Sequence, residues 1–326
     1  MARYILKRLL MLIIVMLGVA VLIFTILYFT PGDPVQMSLG EFYTPEQYAA
    51  KEAELGLDKP FAVQLAVFLK KTFLEFDLGT SFFTNVSVST ELLSRLPRTA
   101  FIAIVCCILQ VVISIPLGIT AAVHHNGFWD KFCIFLAMLS ISIPSFWFAM
   151  ILILIFSLNL KWLPSNGIDH WYSYVLPCVA NSMISIGGLA RLTRSQMLEV
   201  IRSDYVVTAR AKGASERWIL YSHALPNALI PVVTNVGTHF GSALGGTVVI
   251  ETVFAIPGVG YYLMEAVSNR DYPVVRGGIT FLAILFSIVV LLVDLLYAYI
   301  DPRIKAQYER SAKKRVSRKK RGVANG

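Results

Sequence analysis

The sequence predicts an all-α polytopic membrane protein, and three observations carry that class. Of 326 residues, 56% are hydrophobic and only 15% charged, with a mean hydropathy of +0.66; a soluble surface needs more charge than this. Apolar runs long enough to cross about 30 Å of hydrocarbon recur along the chain. The net charge of +9 comes from basic residues gathered at a few places, and those places orient the spans.

Arg3, Lys7 and Arg8 precede an apolar run from Leu9 to Phe29. That run is too long for a signal peptide and no small-x-small cleavage site follows it. Residues 1–30 therefore read as a retained helix with its N-terminus cytoplasmic. Residues 31–98 form the longest polar interval, a small helical extracytoplasmic segment without a core of its own. Within it, Thr44-Pro45-Glu46-Gln47 is a capping box with proline at the first helical position, and Gly56 closes that helix. From Phe61, the residues Leu65, Phe68, Leu69 and Phe73 repeat at helical spacing and predict a second amphipathic helix. Further spans are expected over 99–122, 132–158, 173–190, 228–250 and 279–300, which makes six spans in all and a five-helix core across 99–300. Pro116, Pro144, Pro177 and Pro231 fall within or at the ends of these, where neighbouring helices re-satisfy freed carbonyls. A basic tail, 301–326, closes the chain.

The positive-inside rule tests this arrangement. With both termini cytoplasmic, the inner segments hold Arg3, Lys7 and Arg8, then Lys131, six Lys/Arg between Arg191 and Arg217, and ten from Arg303 to Arg321. The two shorter outer loops hold Lys161, Arg270 and Arg276, and the long outer segment weighs little in the rule. The asymmetry favours a multi-pass protein of the cell membrane with both ends inside. The tail can bind anionic headgroups or serve as a solvated end that enforces topology.

Several functions are disfavoured. Cys106, Cys107, Cys133 and Cys178 lie in or beside apolar runs without metal-ligand spacing and read as packing residues. There is no G-x-x-x-x-G-K-[ST] loop, so no P-loop ATP site, and no H-E-x-x-H or G-x-S-x-G motif. No inverted repeat or paired broken helix suggests a secondary carrier. Asp294, in the last span, lacks a partner for a proton relay and reads as a buried hydrogen-bonded contact.

The polar interval 199–226 is unlike an ordinary loop. Asp204 is expected to cap a short helix with Tyr205, Val206 and Ala209 on one side. Arg210 and Lys212 suit its last turn, and Gly213 stands where a left-handed residue is wanted. A second short helix is expected from Ser215, exposing Trp218 and Tyr221, before Leu225 and Pro226. Two short helices at a sharp angle form a knob suited to a socket on another protein; the alternative is an amphipathic hairpin lying on the membrane surface.

In the fifth span, Gly237, Gly241 and Gly245 form a small-xxx-small stripe for close helix packing. Thr234, Asn235, Thr238, His239 and Ser242 form a polar face beside it, and such groups at membrane depth usually face a bundle interior or a wet path. His239 suits either pathway lining or an interhelical hydrogen bond; one histidine makes no metal site.

Ala209, Gly213 and Leu225-Pro226 stand at the spacing of the "EAA" loop of ABC importer permeases, although Val207, Thr208 and His223 replace that pattern's glutamate, first alanine and isoleucine. Along the chain come Thr30 to Pro34 (TPGDP), Leu55 to Pro60 (LGLDKP), Asp77 to Phe82 (DLGTSF) and Ser142 to Trp147 (SIPSFW). Then follow Tyr205 to Gly213, Glu251 to Phe254 (ETVF) with Pro257 to Gly260 (PGVG), Arg270 to Pro273 (RDYP), Val293 to Tyr297 (VDLLY) and Asp301 to Arg303 (DPR). In this order, over nearly the whole chain, they resemble the dipeptide/oligopeptide/nickel permease family of ABC importers, and its first permease subunit in particular. The resemblance implies a type I importer permease fold that translocates dipeptides or oligopeptides by alternating access. It implies as partners a second homologous permease, two ATPase subunits that hold ATP and Mg, and an extracytoplasmic substrate-binding protein. The lipid bilayer surrounds the assembly, and no nucleic acid takes part. The chain itself would hold no cofactor and catalyse nothing. Its loop 199–226 would dock into an ATPase cleft. Nickel, a nickel chelate or a glutathione-like solute is the alternative cargo within the family. A secondary carrier or channel, and a membrane-anchored assembly protein, are the alternatives outside it.

Overall fold

Long apolar stretches hold their backbone hydrogen bonds within themselves, and the described residues are mostly helical. The computed structural model describes residues 2–40 and 42–300, with residues 2–4, 242, 244, 246, 294 and 296–300 described by their backbone alone. Expectations for the Asp294 side chain and for the basic tail lie outside the described residues. Among the described residues the sole β-feature is an isolated bridge between Thr80 and Ser87.

The chain opens with α1 (Ala2–Phe29) and a short α2 (Pro34–Leu39), then α3 (Pro45–Leu55) and α4 (Phe61–Leu74). The capping box forms as read: the Thr44 N–H donates to Gln47 Oε1 (2.8 Å) and the Gln47 N–H to Thr44 Oγ1 (3.2 Å). Gly56 ends α3 in the left-handed region at φ 67. The apolar face of α4 packs on α1, where Phe24 and Phe68 stack at 5.4 Å between ring centroids.

Next comes α5 (Val88–Val123), whose 36 residues extend about 54 Å at 1.5 Å per residue. It starts eleven residues before the expected span, so position 98 marks no break in the helix. The expected single span over 132–158 is a bent pair: α6 (Phe128–Ser142) and α7 (Ser145–Leu152), the latter continued by a π-helical stretch, Ile153–Asn159, with a bend of 102° between the two halves. Pro144 causes the break, because it carries no N–H and drives Ile143 to an extended ψ of 121.

After a 3₁₀ turn at Trp171–Tyr174 come α8 (Val175–Ile201), α9 (Asp204–Ala211) and α10 (Glu216–Trp218), a second π stretch at Ile219–Ala224, and α11 (Leu225–Gly246). The chain closes through α12 (Val248–Val253), α13 (Val259–Ser268) and α14 (Tyr272–Ile300). Arg276, expected in an outer loop, lies inside α14 with its guanidinium over the rings of Phe68 (4.6 Å) and Phe24 (5.6 Å).

Among the described residues, four helices can cross a membrane by length and composition: Ile5–Phe29, Val88–Val123, Trp171–Ile201 and Tyr272–Val293; the bent pair makes five. Of the six expected spans, the stretch over 228–250 is helical as α11, and the count on length and composition reaches five among the described residues.

The centre of the bundle is α5 against α8, with α6, α7 and α11 around them. Small residues set these approaches. A Cβ on Gly118 of α5 would stand 2.6 Å from the Ala190 carbonyl oxygen of α8, and one on Gly187 of α8 would stand 2.5 Å from Ser140 Oγ of α6. The main core gathers Ile102 and Cys106 of α5 with Ala149, Leu152, Leu176, Cys178, Ile250, Phe254 and Ile256.

Candidate functional site

The loop between α8 and α11 is a folded hairpin. Ser203, and not Asp204, holds the N-cap position of α9; Asp204 is the first helical residue and puts a negative charge at the helix's positive end. At the other end the chain turns as the glycine foretold. Gly213 sits at φ 81, its N–H donates to the Arg210 carbonyl (3.0 Å), and the Ala214 N–H donates to that of Ala209 (3.3 Å). These two bonds satisfy carbonyls that the helix end leaves open. Among the described residues, no atom lies within 4 Å of where a Gly213 Cβ would stand.

An ion pair then closes the hairpin. Arg210 grips Glu216 with both ends of its fork, Nε to Oε1 at 2.5 Å and Nη2 to Oε2 at 3.0 Å. Arg210 beside it holds the Glu216 carboxyl below the usual carboxylate range, and Glu216 raises Arg210 in turn. The pair forms above the ordinary glutamate range and is lost as pH falls through the depressed value. Both partners face water, so the pair steers geometry more than stability.

Ser215 caps the returning limb, its Oγ accepting from the Trp218 N–H at 3.4 Å. The expectation of a second separate short helix is corrected here: α10 winds through the π stretch into α11 without a break. Pro226 explains the wider winding, since it has no N–H to give and its ring crowds the carbonyl four residues back. The Leu225 N–H accordingly donates to the Leu220 carbonyl, five residues earlier.

The hairpin has two sides. Val206, Ile219 and Ala224 are buried, whereas Tyr205 (45% exposed), Trp218 (52%) and Tyr221 (60%) face outward. Lys212 and Pro226 are exposed, and Ala209 and Leu225 are half-buried. The Trp218 ring meets that of His223 edge-on at 4.4 Å, which holds the indole in place. At its base, Leu220, Ala224, Leu225 and Ala228 pack with Ile119 and Ala122 of α5 and Met197, Leu198, Val200 and Ile201 of α8.

Along α11, Gly237 and Gly241 face α14. A Cβ on Gly237 would overlap the Val293 side chain, and one on Gly241 would press on Phe286 at 3.2 Å. The stripe stops there: Gly245 is exposed, with no atom within 4 Å of its Cβ position among the described residues. On the polar face, Thr234 Oγ1 donates to the Ile230 carbonyl (3.1 Å) and Thr238 Oγ1 to that of Asn235 (2.9 Å). Asn235 and His239 are half-buried. The Ser242 side chain is outside the described residues.

At the opposite end of the bundle are two buried carboxylates that the sequence reading quoted only as parts of motifs. Glu251 of α12 is fully buried; its Oε1 accepts from Thr99 Oγ1 (2.7 Å) and its Oε2 from the Tyr261 N–H (3.0 Å) at the start of α13. Thr99 Oγ1 accepts in turn from the Val259 N–H at 2.9 Å. A Cβ on Gly258 would fall onto this carboxylate, which is why glycine stands there. Asp271, also buried, accepts from Ser81 Oγ (2.6 Å) and the Phe82 N–H (3.3 Å), pinning the segment after α4 to the start of α14. The spacing from Glu251 to Gly258 and the acid in Arg270-Asp271-Tyr272-Pro273 were the available signals.

The described residues hold no group of three or more His, Cys, Asp or Glu that could bind a metal. What the fold offers instead is a rigid aromatic-tipped hairpin on a bundle of apolar helices.

Comparison with known proteins bears on that arrangement. The family model described as binding-protein-dependent transport system inner membrane component matches residues 114–306, and the model for the N-terminal part of that component matches residues 1–103. The chain is 40% identical to the dipeptide transport system permease protein DppB of Alkalihalophilus pseudofirmus, over 94% of this chain and 100% of that protein. It is 42% identical to a putative peptide transport system permease protein of Brucella abortus, over 94% and 99% of the two chains. It is 41% identical to the glutathione transport system permease protein GsiC of Salmonella typhimurium, again over 94% and 99%. A solved amino acid ABC transporter crystallised with histidines superposes with a TM-score of 0.48 at 14% identity, covering 66% of this chain and 94% of that one. With a family model matched over more than half its length and relatives matched nearly end to end, the chain belongs to the inner membrane components of binding-protein-dependent transport systems, the permeases of ABC importers.

Proposed function

We propose that this permease carries dipeptides or oligopeptides inward by alternating access, powered by ATP that partner subunits hydrolyse. The observation that carries the reading is the hairpin of residues 199–226. It turns at a left-handed Gly213, is braced by Arg210–Glu216 and presents Tyr205, Trp218 and Tyr221 outward. A preformed knob of this kind suits a cleft in an ATPase subunit, because docking it orders little additional chain. Lys212, Ala209, Leu225 and Pro226 shape its turn and its base. A second homologous permease, two ATPases and an extracytoplasmic binding protein complete the importer, and ATP and Mg sit on the ATPases. Both termini are cytoplasmic in this reading, 31–98 lies outside, and 99–300 is the transport core. Thr234, Asn235, Thr238, His239 and Ser242 line the path as neutral groups that suit varied peptides.

Peptide permeases are prominent among the relatives, which supports peptide cargo; the glutathione permease relative fits the same kind of path, since glutathione is a tripeptide. The test is ATP-driven uptake into proteoliposomes that contain this chain, its partner permease and the ATPases, with the binding protein and a labelled dipeptide. Uptake that needs ATP and binding protein is expected. Flux of peptide without either would overturn the importer assignment.

A further inference from the structure

Opposite the buried acids, where α5, α6 and α8 end near the hairpin, Asp130 is an acid the proposed transport path does not use. It is 2% exposed although it lies three residues into α6. Its carboxylate takes both ends of the Arg194 fork, from Nε to Oδ1 and from Nη2 to Oδ2, the latter at 2.9 Å. It also accepts from the Asn126 N–H at 2.7 Å, and His125 Nδ1 stands 3.0 Å from Oδ2. The turn between α5 and α6 is thereby tied to α8, with Asn126 in the left-handed region at φ 64 and the Gly127 N–H donating to the His124 carbonyl at 2.8 Å.

Arg194 lies one turn before Met197, and Met197 packs on Ala122, Ala224 and Ala228 at the base of the hairpin. The close approaches at Gly118 and Gly187 lock α8 to α5 and α6 just above the ion pair. A charge pair buried between helices holds one relative geometry, because shifting either helix strands an uncompensated charge. A buried fork-to-carboxylate contact also tolerates little sliding.

We propose that Asp130 and Arg194 are positioning residues for energy coupling: they join the α5–α6 turn, α8 and α9 into one body, so that a push on the hairpin displaces the bundle rather than bending α8. The proposal rests on the hairpin's role as the ATPase contact. It assigns neither residue to the path or to the ATPase cleft.

The test uses the complete importer in proteoliposomes, with spin labels at cysteines introduced at His124 and Thr208, both exposed. The distance between these labels is expected to stay the same from the nucleotide-free to the ATP-trapped state, while the distance from Thr208 to a label at Asn269 changes. In Asp130→Asn and Arg194→Gln the 124–208 distribution should broaden. Peptide carried per ATP should then fall about tenfold at unchanged ATPase rate and assembly, with Arg194→Lys recovering part of the loss. A 124–208 distance that shifts with nucleotide in the wild type overturns the proposal. So does wild-type coupling with a narrow distribution in the variants. If Asp130→Asn does not assemble, Arg194→Lys decides, because it keeps the charge and loses the fork; wild-type behaviour in it also overturns the proposal. Should the wild type carry no peptide, the cargo assignment falls, and the label distances still judge the one-body claim.

Discussion

At Gly213 the backbone stands at φ 81 with open space around it among the described residues, so a side chain there meets strain and no clash with them. Gly213→Leu is expected to cost about 1 kcal/mol locally and to redirect the returning limb, abolishing uptake while the chain still inserts. Gly213→Asn, which tolerates the left-handed region, should keep most uptake; equal transport by the leucine variant would remove the knob from the coupling mechanism. Gly237 fails differently. Its substitution by leucine drives atoms into Val293 and should destabilise the α11–α14 contact by about 1–3 kcal/mol. Gly245→Ala, with no described atom within 4 Å of the added carbon, should leave the melting temperature in detergent unchanged, and a comparable loss at both positions would argue against this packing.

Among elements, the linkage of α12 to α13 through Glu251 depends on one carboxylate and one hydroxyl. Glu251→Ala leaves the Thr99 hydroxyl and the Tyr261 N–H without their acceptor, at about 1–3 kcal/mol for each buried group. Thermal unfolding in detergent should show a lower midpoint, with the Thr99→Val variant similarly affected because the Val259 N–H loses its partner. A variant as stable as the wild type would mean water replaces these bonds. Topology is also tested at this scale: cysteines introduced at Glu54 and Asn269 should react with an impermeant thiol reagent from outside, and one at Glu216 should not. Labelling at Glu216 in intact cells would invert the hairpin's side.

For the whole molecule, cargo is the quantity to measure. The described part of the α11 polar face offers hydroxyl, amide and imidazole groups and no carboxylate, which favours a peptide over a bare metal ion. Thr238→Trp is expected to block peptide uptake by obstruction, and His239→Gln to leave most of it. Nickel accumulation that His239→Gln eliminates, in an importer that never takes up peptide, would reverse the assignment.

Hydrophobic runs, basic clusters, a capping box and one glycine before a return helix are local facts, and they determined what they locally govern. The helical class, the ends of α3, the left-handed turn at Gly213 and the exposed Trp218 and Tyr221 all follow from neighbours within a few residues. The 102° break at Pro144 and the π winding before Pro226 were only half legible: proline foretells an interruption, but its angle depends on what the second limb packs against. Glu251, Asp271 and Asp130 were invisible as anchors, because their partners lie 152, 190 and 64 positions away in the chain. A carboxylate in sequence is an acid of unknown surroundings. Only the tertiary structure decides which helix end, hydroxyl or guanidinium stands close enough to let it be buried, since a buried charge survives where its full set of partners converges.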